Sequence, residues 1–139
     1  METKINLDPI KIIYVESENG PQEAAKAFAK LEKNLSLKGR KFYGLISEEG
    51  RRYLASTTLI DGNEKLGFPI GEIPGGFYVR TKIDDWQTKL SLVISEFNKL
   101  SEKYEEDATK PRIEFYRSQK ELFLLLPITT GPIPKGLTL

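Results

Sequence analysis

Apolar runs and turn-forming residues follow one another along the chain in an order that reads twice as strand, helix, strand, strand, at a spacing of roughly 65 to 70 residues. Ile10, Ile12, Ile13, Tyr14 and Val15 make a short β-branched run, too brief for a helix, and predict a strand. Gly20, Pro21 and Glu23 then open a helix. Proline at a first helical position lacks only an N–H that the helix leaves unpaired, and the carboxylate sits where the helix dipole favours it. Ala24, Ala27, Phe28, Leu31 and Leu35 keep the three-and-four spacing of one buried face, and Lys38-Gly39 supplies a cation and a left-handed stop. Residues 42–47 and 53–60 read as two strands joined by the turn Glu48-Glu49-Gly50.

The second half repeats the order with only weak identity. Residues 77–83 predict a strand, a helix starts at Asp84, and residues 112–117 and 121–128 predict a hairpin. Asp84 and Gln87 have the spacing of a capping box, and Trp86, Leu90, Ile94, Phe97, Leu100 and Tyr104 form an apolar stripe. Residues 61–74, rich in glycine and proline, form a connector whose glycines lack the spacing of a phosphate-binding loop.

A chain of 139 residues can bury about two-thirds of its unfolded surface, enough for one core without staples. The expected organisation is one α+β domain over residues 1–128, made of two pseudo-symmetric halves at about 8–61 and 72–128. Residues 129–139 form a flexible or extended tail, or an edge strand added to a second copy. The 21 basic and 20 acidic residues are spread along the chain, which predicts no direct nucleic-acid partner and no membrane partner. Lys38, Arg40, Lys41, Arg51 and Arg52 are the densest basic groups and read as solvated surface. No apolar N-terminal segment of signal or membrane length is present, so the cytoplasm is the expected location.

The absence of histidine and cysteine excludes histidine-based triads, cysteine nucleophiles and conventional zinc or haem sites, and no cofactor is expected. The clusters Glu48-Glu49, Asp84-Asp85 and Glu105-Glu106-Asp107 lack the spacing of a calcium loop and read as turn and cap residues.

Arg52-Tyr53-Leu54-Ala55 with Leu59-Ile60-Asp61, then Glu72-Ile73-Pro74-Gly75-Gly76-Phe77-Tyr78-Val79, then Pro111-Arg112-Ile113-Glu114-Phe115-Tyr116, and finally Leu124-Leu125-Leu126-Pro127-Ile128, together resemble a GyrI-like small-molecule-binding domain over residues 8–128. The resemblance implies a duplicated β-α-β-β module, an antiparallel sheet with two helices packed on one face, and a ligand groove between the halves. It also implies a role among effector domains of multidrug-responsive transcription regulators, stand-alone drug binders and gyrase-interacting proteins. One position departs from the family. Similar members carry a cation-recognising glutamate in the last strand, four residues before the proline, where this chain has Phe123. An unpaired charge in an apolar cleft is costly unless a partner neutralises it, so loss of the carboxylate predicts weaker preference for cationic over neutral aromatic ligands.

Glu114 falls on the glutamate of the family's Pro-x-x-Glu-x-Tyr pattern. Strand alternation puts Arg112, Glu114 and Tyr116 on one face and Ile113 with Phe115 on the other. Glu114 is then either a solvated or arginine-paired residue, or a carboxylate beside an aromatic wall that recognises a flat or cationic ligand. Phe28, Phe97 and Tyr104 read as helical core. Tyr43, Tyr53, Tyr78, Trp86, Glu114, Tyr116 and Phe123 are the candidate ligand-binding residues. The expected function is a stand-alone sensor or sequestering protein for a small, apolar or aromatic, drug-like molecule, acting as a monomer or homodimer. There is no spare length for a DNA-reading module beside the duplicated unit, so a regulatory role requires a separate regulator. The alternatives are a hydrolase of strained electrophiles, with Glu114 activating water and Tyr78 or Tyr116 polarising the electrophile, and a protein that binds gyrase or a regulator. Ligand stabilisation without turnover, product formation, and co-purification with a large partner tell the three apart.

Overall fold

A computed structural model describes residues 2–33, 35, 40–60 and 62–129. The strands are β1 (Thr3–Leu7), β2 (Ile10–Glu16), β3 (Phe42–Ser47), β4 (Arg52–Thr58), β5 (Ile70–Ile73), β6 (Gly76–Asp84), β7 (Arg112–Tyr116) and β8 (Glu121–Pro127). The helices are α1 (Ala24–Glu32) and α2 (Leu92–Lys103). The fold is α+β, and the strands pair antiparallel. The chain divides into two compact units. One is Pro9–Ile73, and the other joins the residues before it to those after it.

In the Pro9–Ile73 unit the strands lie in the order β3, β4, β2, β5. Helix α1 buries Ala27 against Tyr53 and Ala55 of β4, and the Phe28 ring meets Phe42 and Tyr53 edge-on, with centroids 6.4 and 6.2 Å away. Edge-on contact sets the positive rim of one ring against the negative face of another. The helix is preceded by a single 3-10 turn, Gly20–Glu23, that begins with the expected glycine and proline. The proposed Lys38-Gly39 stop lies outside the described residues, as does the tail from residue 130 onward.

The second unit also runs strand, helix, strand, strand (β6, α2, β7, β8), but its edge strand β1 precedes that run in the chain, whereas β5 follows it in the first unit. Its strands lie in the order β7, β8, β6, β1, with a 3-10 turn and α2 between β6 and β7. Three features differ from the sequence expectation. Strand β1 pairs with β6, Thr3 opposite Arg80, so the N-terminal residues belong to the second unit. Part of the expected connector is strand β5, Ile12 opposite Gly71, with the Tyr14 ring lying where a side chain at Gly71 would stand. Helix α2 starts at Leu92 and not at Asp84. A 3-10 turn, Trp86–Thr88, precedes it, and no side chain caps that turn. The cause is the indole Nε1, which donates to the Ser118 carbonyl at 3.0 Å and ties Trp86 to the β7–β8 turn. The buried stripe is accordingly Val93, Phe97 and Leu100, while Leu90 and Ile94 are 54% and 72% exposed.

Candidate ligand-binding site

The sheet of the second unit has two faces, and the register assigns each candidate to one of them. The Arg112 guanidinium lies 5.4 Å from the Phe97 ring centre and the Lys4 ammonium 5.7 Å from that of Tyr104. Arg112 and Lys4 therefore mark the face covered by α2. Glu114 and Tyr116, two and four residues beyond Arg112, share it, opposite Leu124 and Leu122. The Tyr116 hydroxyl donates to a Glu114 carboxylate oxygen at 2.7 Å, and the Tyr116 ring meets Trp86 edge-on at 5.0 Å. Glu114 is only 7% exposed, so it is a buried carboxylate and not a solvated strand residue. A buried charge needs partners, and the tyrosine hydroxyl supplies one of them. Trp86, Glu114 and Tyr116 thus form one cluster, as the sequence spacing suggested for the last two. Arg112 pairs instead with Glu106, bidentate at 2.8 and 2.9 Å.

The opposite face carries Phe115, Phe123, Leu125 and Tyr78. Phe115 and Phe123 sit directly across from each other and stack, centroids 6.1 Å apart and planes 21° apart. Arg80 and Arg117 extend over Phe123, their guanidinium carbons 4.7 and 5.9 Å from its centre. Sequence reasoning selected Phe123 but not Phe115, Arg80 or Arg117. The only signal was the alternation that pairs 80, 123 and 115 on one face, and that requires the register.

Tyr78 is fully buried, and its hydroxyl donates to the Pro74 carbonyl at 2.7 Å. Burial, followed by the nearby Asp107 charge, pushes its phenol up to about 12. Lys110 donates to the Gly75 carbonyl at 3.0 Å and lies 6.0 Å from the Tyr78 ring centre. The Pro74-Gly75-Gly76 segment is thereby clamped on both sides. A side chain at Gly76 would collide with the Lys110 ammonium, and its φ of +131° suits glycine. Tyr78 lies on the face away from Glu114, so the two do not form a base and polarising pair.

Tyr43 and Tyr53 belong to the other unit. Tyr53 packs under α1, whereas Tyr43, paired with Ser56, lies on the face away from that helix; burial pushes its phenol upward. A cavity beside α1, lined by Val15, Ser17, Glu23, Lys26, Ala27 and Lys30, has a volume of about 30 Å³. That is room for a water or two and too small for a drug-like molecule.

No family model matches the chain, and no curated protein matches it. Solved structures do share the fold. An integron cassette protein from the mobile metagenome of Vibrio cholerae is 14% identical, with a TM-score of 0.63 over 91% of this chain and 95% of that one. The protein SAV2435, solved bound to tetraphenylphosphonium, is 12% identical, with a TM-score of 0.61 over 93% and 94%. A hydrolase from Listeria innocua is 13% identical, with a TM-score of 0.58 over 92% and 91%. A candidate bacterial transcription regulation protein from Staphylococcus aureus MU50 also matches, with a TM-score of 0.59 at 12% identity over 94% and 99%. The chain therefore shares its fold with these proteins. Among the described residues no helix is long and apolar enough to cross a membrane.

Proposed function

We propose that this protein is a GyrI-like, stand-alone binder of small drug-like or aromatic molecules, acting as a sensor or a sequestering protein. The observation that carries the reading is the stacked Phe115–Phe123 pair on the sheet face that α2 does not cover. A ring that stacks on an aromatic pair gains both buried area and favourable quadrupole geometry, and Phe123, buried at 8% exposure, would lie at the floor of such a contact. The shared fold with a protein solved bound to a tetraphenyl cation supports it. Recognition is assigned to Phe123, with Tyr78 behind the same face, and the Trp86–Glu114–Tyr116 cluster lies on the other face. A regulatory role would pass through a separate regulator or gyrase.

A thermal-shift screen of aromatic compounds, with mass analysis of each mixture, tests the reading. Several compounds should stabilise the protein and be recovered unchanged. Phe123→Leu keeps apolar volume but removes the ring, and it should weaken binding about three- to tenfold. Equal affinity of the wild type and this variant for every binder would place recognition elsewhere.

A second reading is favoured by the buried Glu114 against the Tyr116 hydroxyl. Positioned carboxylates of this kind act as general bases toward water, and Tyr116 would polarise a strained electrophile. If so, some compounds emerge from the screen as hydrated products. Glu114→Gln should then retain binding and lower turnover about a hundredfold or more. Unchanged turnover in that variant removes the hydrolase reading.

A further inference from the structure

Asn19 is the one asparagine of five with a glycine after it; Asn6 and Asn34 precede leucine, Asn63 glutamate and Asn98 lysine. Glycine has no side chain to shield its backbone nitrogen, so the Gly20 nitrogen is free to reach the side-chain carbonyl carbon of the residue before it. Asn19 is exposed and stands in the turn between β2 and α1, outside any helix or strand. Three contacts hold that turn in the fold. The buried Ser17 donates its hydroxyl to the Gly20 carbonyl at 2.6 Å, and the Asn19 side-chain amide donates to Glu23 at 2.5 Å. Gly20, with φ of +64°, leaves no room for even a Cβ beside the Arg51 carbonyl.

We propose that Asn19 is a deamidation site, and that this clamp sets the rate at which the asparagine is lost. The Gly20 nitrogen bonds to the Asn19 side-chain carbonyl carbon, and the side-chain nitrogen leaves as ammonia, carrying the proton that Gly20 gives up. Water then opens the cyclic imide, returning a proton to the Gly20 nitrogen. Addition at the side-chain carbon restores the chain with aspartate. Addition at the main-chain carbonyl leaves isoaspartate, whose backbone runs through one extra carbon. Neither step oxidises or reduces anything. Both products put a carboxylate, which has no N–H to donate, where the amide met Glu23, and both take one unit from the formal net charge of +1. Like charges at that separation repel, and the longer isoaspartyl backbone does not fit a turn packed this closely against Arg51. Cyclisation needs a rotation between Asn19 and Gly20 that the clamp resists, so it proceeds from a locally opened turn. The product is a turn that no longer closes, a one-way release at the start of α1.

Incubation of the whole chain at mildly alkaline pH, then trypsin digestion and mass spectrometry, reads the reaction at each asparagine. The tryptic peptide of residues 12–26 contains Asn19 and no other asparagine. Its acid form should accumulate faster than that of any other asparagine, take up one oxygen from heavy-oxygen water, and contain isoaspartate that an isoaspartyl methyltransferase labels. Ser17→Ala keeps the Asn19-Gly20 pair but removes one hydrogen bond of the clamp, and should speed the loss of Asn19 about two- to tenfold. Urea unfolding of the unmodified protein should speed it further, a readout that does not depend on any variant folding. The deamidated protein, separated by charge, should have a lower urea midpoint and faster amide exchange in Ala24–Glu32. Loss of Asn19 no faster than that of the other four, equal rates in folded and unfolded protein, or an unchanged rate in Ser17→Ala overturns the proposal. So does a deamidated protein as stable as the original.

Discussion

Tyrosine hydroxyls separate the residues that pack from those that offer chemistry. The sequence placed Tyr43, Tyr53 and Tyr78 on strands, which is where they lie, but only the register decides which way each one points. Tyr78 is the most enclosed of those with a resolved partner: its proton is held by the Pro74 carbonyl, and burial opposes the phenolate. With a folded value of about 12 against the ordinary 10.0, the neutral phenol is favoured in the fold. The resulting stability is fully present below about pH 10 and is lost as pH rises toward about 12, a loss of about 3 kcal/mol. Urea midpoints measured across this alkaline range should fall accordingly, and an ultraviolet titration should show at least one of the six tyrosines ionising late. Tyr78→Phe has no proton to lose there. Its midpoint should start lower by about 1 kcal/mol for the missing hydrogen bond and then decline less steeply. An identical alkaline slope in both proteins would mean that Tyr78 is not the group responsible.

Both units close their strand-to-helix turn onto their own hairpin turn. In the first, the Ser17 N–H donates to the Tyr53 carbonyl at 2.9 Å, and Gly20, with φ of +64°, brings its backbone against Arg51. In the second, the Asp85 N–H donates to the Lys120 carbonyl at 2.6 Å while Trp86 reaches Ser118. A Cβ at Gly20 would stand 2.8 Å from the Arg51 carbonyl oxygen, a backbone atom that cannot swing aside. Gly20→Ala should therefore cost about 1 to 3 kcal/mol. Gly50→Ala carries only the penalty of a positive φ, since nothing lies within 4 Å of its missing Cβ, and should cost about 1 kcal/mol. Equal denaturation midpoints for the two variants would remove the turn contact as a clamp. Elements with long periodic runs were legible in the chain: α1 and the strands of both hairpins appear close to where their patterns put them. What escaped has physical reasons. Strand β5 is four residues with a glycine inside a turn-rich stretch, and only its pairing with β2 makes it a strand. Strand β1 is held by β6, some 70 residues away, a contact no local pattern encodes. The start of α2 was misread because the spacing of Asp84 and Gln87 imitates a cap, while Trp86 is fixed from outside the helix. The site was legible in parts for the same reason. Glu114 and Tyr116 stand two apart on one strand and so share a face at any register, whereas Arg80, Phe115 and Phe123 come from three strands.

At the scale of the whole chain, two units that each contain a strand-helix-strand-strand run differ in their chemistry, and the proposed ligand is assigned to one of them. Among the residues described, the aromatic stack with arginines above it belongs to β6, β7, β8 and the turn after β7. In the Pro9–Ile73 unit the corresponding helix instead closes over Phe28, Phe42 and Tyr53, whose rings are spent on each other. A ligand that binds the folded state slows every opening that would release it, and amides within the opened segment report which segment that is. With an aromatic binder from the thermal-shift screen at about one hundred times its dissociation constant, the stabilisation is about 2.7 kcal/mol, or roughly a hundredfold slower exchange for amides freed by those openings. Hydrogen exchange read by mass spectrometry should show this slowing in Gly76–Asp84, Arg112–Tyr116 and Glu121–Pro127. Amides of Ile10–Glu16 and Phe42–Ser47 should slow only where they exchange through unfolding of the entire chain. Slowing confined to the Pro9–Ile73 strands, with β7 and β8 unchanged, would move the binding surface to the other unit and take the assignment of Phe115 and Phe123 with it.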